Sequence, residues 1–375
     1  MFTAPVSNGG ATITTYTATS SPAGGTGTLS QAGSGTISVT GLTGGTSYTF
    51  TVTATNSVGT GSASAASNSI TTTSAVVSTQ RAIMHGGNRG PESTFNLISS
   101  AGTVAADGGN VGTAREGHAA ASYGGDKAIF GYGKTGAYAW NVTAVTNKVA
   151  NTGVMAADTT GVGTTRHALA AASYGTDKVI FGFGIDSTST LTAVTNLVSN
   201  TGVVATDTAG VGVGRYYLAA AGYGSDKAIF GYGQLPGTAQ YTTNKQLVSN
   251  TGVVAAQTGG AGTARYALMG AGYGGDKAIF AYGVTASGSV AYYNTSNLVS
   301  NTGVVASNGA SVGTGRSQGF GTGIGGDKAI FGYGKNAGNL KVTNLVSNTG
   351  VVASDVSQAP TARNSCTAAG YSTSA

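Results

Sequence analysis

The chain has 375 residues, of which only 8% are charged and 64 are glycine; ordinary soluble domains carry about a quarter charged residues. Gly, Ser, Thr, Val and Tyr stand where helical proteins use Ala, Leu, Glu, Lys and Arg, which excludes a helical bundle. The formal charge of +6 comes from 18 Lys and Arg against 12 Asp and Glu, too thin for the clustered basic footprint of a nucleic-acid binder. No apolar run reaches the ~18–20 residues of a membrane helix. The opening MFTAPVSNGG has neither the basic start nor the apolar stretch of a signal peptide, and the single Cys366 excludes an internal disulfide framework. Such a composition suits a virion component, assembled inside a cell and used outside, or a fragment of a larger secreted chain.

Charge divides the chain. Residues 1–80 contain no Asp, Glu, Lys or Arg, and every charge lies from Arg81 onward. The expected layout is a first domain at 1–75, a linker at 76–79 inside the Thr/Ser-rich ITTTSAVVST, and a second domain at 80–375. In the first, TISVTGLTGGTSYTFTVTATN at 36–56 alternates small or apolar residues with Thr and Ser, predicting strands at 36–40 and 49–55. Leu42 followed by Tyr48, together with Pro5, the NGG at 8–10, Ile13, Tyr16 and the NSVG at 56–59, resembles fibronectin type III domains. The resemblance implies a β-sandwich with Tyr48 as its tyrosine corner. The chain opens where that family's second strand is expected, so a missing first strand is part of the expectation.

From residue 80 a period near 50 residues takes over. DKAIFGYG at 126–133 returns as DKVIFGFG at 177–184, DKAIFGYG at 226–233, DKAIFAYG at 276–283 and DKAIFGYG at 327–334, and QRAIMHGG at 80–87 is a degenerate first copy. LVSNTGVVA recurs at 197–205, 247–255, 298–306 and 345–353. Each Asp-Lys is preceded by a small-residue stretch led by Arg115, Arg166, Arg215, Arg265 or Arg316, with Arg363 leading the last stretch. Six copies of four strands predict an all-β, six-bladed β-propeller, in which the final strand at 363–371 completes the blade begun at 80–87. The Arg-led strand followed by an aliphatic-aromatic strand is similar to kelch repeats. His85-Gly86-Gly87 keeps that family's double glycine, other copies read Gly-Tyr-Gly, and its outer-strand Trp is absent.

Strand parity puts the loops joining strands 2–3 and 4–1 on one face, and these carry the variation between repeats. They hold Phe95, Tyr138, Trp140, Tyr241, Tyr292 and Tyr293, and the residues after each Arg add Glu116, His118, His167, Tyr216, Tyr217, Tyr266 and Gln318. Aromatic rings beside polar groups suit sugar faces, so Tyr138, Trp140, Tyr241, Tyr292, Tyr293, Tyr216, Tyr217, Tyr266 and His167 are the candidate ligand-binding residues. The six arginines recur while their neighbours change, favouring a structural role over a guanidinium ring for anions. The Asp-Lys turns read as solvated turns, and Asp107, Asp158, Asp207 and Asp355 as turn chemistry.

Kelch-like propellers include copper-radical oxidases, which need a Tyr/Cys pair and two His. Here His85, His118 and His167 occupy different repeat positions, and Cys366 reads as a small buried thiol, so no enzyme, metal or cofactor is expected. The expected function is a non-enzymatic bacteriophage structural or receptor-binding protein at the virion surface. Other virion or fibre proteins and a host glycan or receptor would be its partners, with no nucleic acid and no membrane insertion. The alternative is a bacterial cell-surface or secreted adhesin fragment, and a secreted glycan-active enzyme ranks last.

Overall fold

The computed structural model describes residues 1–42, 46–71, 80–87, 92–136, 138, 140–237, 239–286, 289–358 and 360–372. The described residues are all-β: they contain no helix, and so none long and apolar enough to cross a membrane. The chain divides into two compact units, Met1–Val77 and Ser78–Ala375. The linker expected at 76–79 lies outside the described residues.

The first unit holds β1 (Thr15–Ser21), β2 (Thr26–Leu29), β3 (Ser47–Thr55) and β4 (Ile70–Thr71) in the antiparallel order β2-β1-β3-β4. Alternation along β1 buries Tyr16, Ala18 and Ser20 on one face. Tyr48 opens β3 and is buried, while residues 43–45 of its expected corner lie outside the described residues. The segment 36–40 is not the regular strand expected from its alternation. Single bridges mark its ends, Phe2 to Gly35 and Thr26 to Thr40, where Thr26 of β2 exchanges both backbone bonds with Thr40 at 3.3 and 3.2 Å, and no ladder continues along it among the described residues. The NSVG turn closes with Asn56 Oδ1 accepting from the backbone amides of Val58 and Gly59 at 2.8 and 3.0 Å.

In the second unit one hairpin recurs. Ala219–Tyr223, built of small residues, pairs with Lys227–Gly231, which pairs in turn with Lys245–Val248. Its equivalents begin at Ala119, Ala170, Met269 and Phe320. The middle strand is buried on both faces, with Ile229 and Phe230 wholly inaccessible, so it reads as a continuous apolar run. β5 (Gln80–His85) pairs with Glu92–Ile98 on one side and on the other with Thr367–Ser372, Thr367 lying opposite His85. Small-residue strands of successive repeats lie side by side, and Thr367–Ser372 packs against both Ala119–Tyr123 and Phe320–Ile324.

Two backbone belts tie the repeats together. On the face of the Asp-Lys turns, the amides of Gly124, Gly175, Gly224 and Gly274 donate to the carbonyls of Asp177, Asp226, Asp276 and Asp327 in the next repeat, at 2.6–2.7 Å, and Ser372 donates to Asp126 at 2.9 Å. On the opposite face Ala168, Tyr217, Ala267, Gln318 and Ser365 donate to the equivalent residue of the repeat before, at 2.6–2.9 Å. The Asp-Lys side chains stand in solvent, as expected of turn residues, while their backbone carbonyls also join one repeat to the amide of its neighbour.

The VVA segments also depart from expectation. Each makes one bridge, as Val254 does to Val248, and a second bridge follows, Thr258 to Lys245. Three steps on the third strand oppose four on the outer segment. This bulge repeats at 146–159 and 195–208 and turns one outer side chain inward.

Truncation after residue 362 removes the strand that buries Ala368, Ala369 and Tyr371. It is expected to lower the melting temperature of the second unit by roughly 10 °C. Unchanged melting by circular dichroism would show that Thr367–Ser372 is dispensable.

Candidate functional site

The bulge explains the arginines. Arg166 donates from Nε to the Phe183 carbonyl at 2.9 Å, from Nη1 to the Thr164 carbonyl at 2.9 Å, and from Nη2 to Asn196 Oδ1 at 2.7 Å. Its guanidinium lies 4.3 Å from the ring centre of Tyr132 in the repeat before. Asp207, turned inward by the bulge, accepts from Asn196 Nδ2 at 2.9 Å and from Thr164 Oγ1 at 2.5 Å. Arg265 repeats the pattern on Asn297 and Tyr232, and Arg316 on Asn344 and Tyr282. Arg215 lies 4.5 Å over Phe183, Arg363 pairs with Asp107 at 2.6 Å, and Arg115 donates to Asn147. All six are buried, so no ring of guanidiniums faces solvent.

The recurring acids are corrected too. Asp158, Asp207 and Asp355 each accept from the Thr hydroxyl and amide of the preceding loop, Thr113, Thr164 and Thr314, and so link repeats instead of closing turns. Burial acts to raise the Asp207 pKa, but the bonds from Thr164 and Asn196 hold it below the ordinary carboxylate value.

One joint is built differently. Gly86 occupies the place of Tyr132 and its equivalents, so no ring lies beneath Arg115. A Cβ on Gly86 would sit 2.6 Å from His118 Cε1, which shows that His118 fills the space. His85 Nδ1 and His118 Nε2 are 3.1 Å apart, both rings are buried, and Phe130 packs against each. Sequence positions alone separated these two histidines; the Gly in place of an aromatic was the signal that the space needed another occupant. Burial, then the Arg115 charge, pulls His85 down to about 3, and His118 is also well below its ordinary value through burial, His85 and Arg115. Cys366 lies buried at the axis, and burial pushes its thiol up to about 12.

The loop aromatics fall into two sets. Tyr138 and Trp140 stack at 4.7 Å and 5° and are 58% and 60% exposed. Tyr241 stacks on Tyr266 at 5.1 Å and 12°, Tyr266 meets Tyr217 at 6.1 Å, and Tyr217 meets Tyr216 at 5.2 Å. Tyr241 accepts at its hydroxyl from the Ala286 amide at 3.0 Å, which fixes its ring. Among the described residues no ring contact joins the two sets. Burial raises the Tyr216 and Tyr266 hydroxyls and pushes Tyr217 up to about 12, so all three stay protonated donors at neutral pH.

Other candidates lie apart from the rings. Tyr292 sits in a short strand with Ala291, and Tyr293 Oη lies 3.4 Å from Thr285 Oγ1. His167 is buried in a two-residue strand with Arg166. Phe95, expected in a loop, belongs to Glu92–Ile98 and faces His85 across the sheet, because strand pairing extends further in this copy. The bridges Glu116–Lys134, Tyr216–Gln234 and Tyr266–Val284 hold the two loop types together on one face.

Among known proteins, residues 1–70 match the fibronectin type III domain. The chain is thus an all-β protein with an N-terminal fibronectin type III domain. Among solved structures it is similar to one titled "Structure of YjhT", at 12% identity and a TM-score of 0.52, covering 68% of this chain and 89% of that one. That share exceeds what the first 77 residues can supply, so the shared fold includes the second unit. No curated protein matches the chain.

Two outcomes test the joints. Arg265→Met leaves Asn297 Oδ1 and the Tyr282 carbonyl without their buried donor and should cost about 3 kcal/mol in chemical denaturation. For the histidines, the folded pKa is depressed below the unfolded one, so the unfolded state binds more protons between the two values. Stability should therefore fall as pH drops from about 6.5 toward the His85 value of about 3, by up to ~1.4 kcal/mol per pH unit per histidine. The doubly substituted His85→Gln, His118→Gln protein should lose that slope in denaturant melts across the same pH range.

Proposed function

We propose that the second unit is a six-bladed, kelch-like β-propeller and that its variable loop face is a non-enzymatic binding surface for a host-surface glycan or protein. The observation that carries the proposal is the run of four half-buried rings, Tyr216, Tyr217, Tyr266 and Tyr241, assembled from the loops of two successive repeats. Two strongly exposed stacked rings, Tyr138 and Trp140, stand on the same class of loop. Preformed aromatic area with protonated hydroxyls at its edge is what a sugar face needs: apolar contact and hydrogen bonds at little entropic cost. The pairing of β5 with Thr367–Ser372 and the side-by-side order of the small-residue strands support a closed ring of blades.

The propeller with its fibronectin type III domain would serve as an adhesion module of a bacteriophage virion, in a fibre or decoration and beside other virion proteins. The virion setting rests on analogy with proteins that combine such modules. The low charge and the uncharged first unit support a displayed surface over an intracellular enzyme. The axial space on the loop face is only about 80 Å³, too small for a substrate pocket of the usual few hundred Å³, which supports the non-enzymatic reading.

Attachment to host cells and binding to a glycan array test this. Tyr241→Ala with Tyr266→Ala, and separately Tyr138→Ala with Trp140→Ala, should each weaken binding about tenfold or more with melting changed little. Retained binding in both double variants would overturn the loop-face reading.

A further inference from the structure

On the face of the Asp-Lys turns, opposite the aromatic loops, the axis opens into a cavity of about 300 Å³. It is central, because Ser173, Gly222, Gly272 and Gly323, at one equivalent position in four successive small-residue strands, all line it. Small residues there leave the mouth open. Lys227, Lys277 and Lys328 line it, and among the described residues no Asp or Glu does.

The charges of the Asp-Lys turns cancel in sum but not in place. Asp276 and Asp327 accept from the side-chain amides of Asn301 and Asn348 in the S-N-T-G hairpins, at 3.2 and 3.1 Å. Those hairpins do not line the cavity, and Asp276 divides its two oxygens between Asn301 and Lys277. Lys227 and Lys277 each bond their own Asp at 2.7 Å and keep two further donors. Lys328 has no ion-pair partner among the described residues, although it follows Asp327 and is exposed. Three lysines thus line one cavity, two of them each sharing an Asp carboxylate and Lys328 holding an ammonium without an ion-pair partner among the described residues, which leaves donors and a net positive charge for an anion.

We propose that this axial mouth binds a small multivalent anion, one carrying two or three carboxylate or phosphate groups. Each anionic group would take one lysine, and the ligand would span the axis. A monovalent anion would gain one contact and leave the others in water. The site is separate from the loop face and does not depend on the reading given to that face.

Isothermal titration with citrate, and with acetate as the monovalent probe, tests the proposal on the full chain. Citrate should bind at low ionic strength, weaken as salt rises, and exceed acetate. Lys227→Gln, Lys277→Gln and Lys328→Gln together should reduce citrate affinity roughly tenfold or more, and Lys328→Gln alone should reduce it measurably. The Tyr241→Ala, Tyr266→Ala protein should bind citrate as before. Absence of citrate binding, equal affinity for acetate and citrate, or unchanged affinity in the Lys328→Gln protein would overturn it.

Discussion

The second unit depends on a positive charge buried between repeats. A guanidinium taken out of water costs several kcal/mol unless its donors are met and its charge is balanced. Arg166 makes its three hydrogen bonds within its own repeat, to Thr164, Phe183 and Asn196, while Tyr132 of the repeat before covers its guanidinium face. A repeat alone would leave that charged face without its ring, so each repeat gains stability beside its neighbour, as nearest-neighbour coupling in repeat proteins requires. The outer bulge is part of the same device, because it turns Asp207 in to bond the Asn196 that receives the arginine.

Departures from the consensus show how narrow the geometry is. At Arg215 the partners are Gln246 and Gln257 in place of Asn and Asp. The extra methylene carries the Gln246 amide to the Val211 carbonyl, and Arg215 keeps only a 3.4 Å bond to Gln257, with Nε and Nη2 unpartnered. At Arg115 the missing ring is replaced by two neutral histidines, Nε and Nη1 have no hydrogen-bond partner among the described residues, and Nη1 keeps only a 4.0 Å ion pair with Asp158. Both of these arginines are pulled down to about 10, by burial in each case. The conserved chemistry is therefore a joint of fixed length, and altered members weaken it in identifiable bonds.

What the sequence revealed followed from which demands are local. The all-β class, the period and the KAIFG strand were legible because every copy must bury the same Ile and Phe between two neighbours. The Tyr and Trp loops could be assigned to one face from strand parity alone. Contacts between repeats were not legible, since nothing in a 50-residue period shows that Asp207 reaches Thr164 or that His85 meets His118. The segment 36–40 had the right alternation for a strand, but alternation does not fix how far pairing runs, and its contact with β2 stops at the single bridge Thr26–Thr40. The gathering of Tyr216 and Tyr217 with Tyr241 and Tyr266 was likewise hidden, as it needs the spacing between two repeats.

The belt on the loop face explains how joined repeats tolerate a variable surface. Gly117, Ala168, Tyr217, Ala267, Gln318 and Ser365 hold equivalent positions, all at φ between 49° and 61°. That region disfavours side chains by roughly 1 kcal/mol, yet only one of the six is glycine. Each non-glycine member donates its amide across a repeat boundary, and Gly117 accepts from Ala168. The conformation is thus fixed by backbone bonds that are blind to side-chain identity. Each joint therefore constrains the peptide groups and leaves the side chains free. Tyr217 uses both properties at once: its amide and carbonyl hold two joints, while its ring extends the aromatic run toward Tyr216 and Tyr266. Variation at such a position changes the surface without breaking the joint.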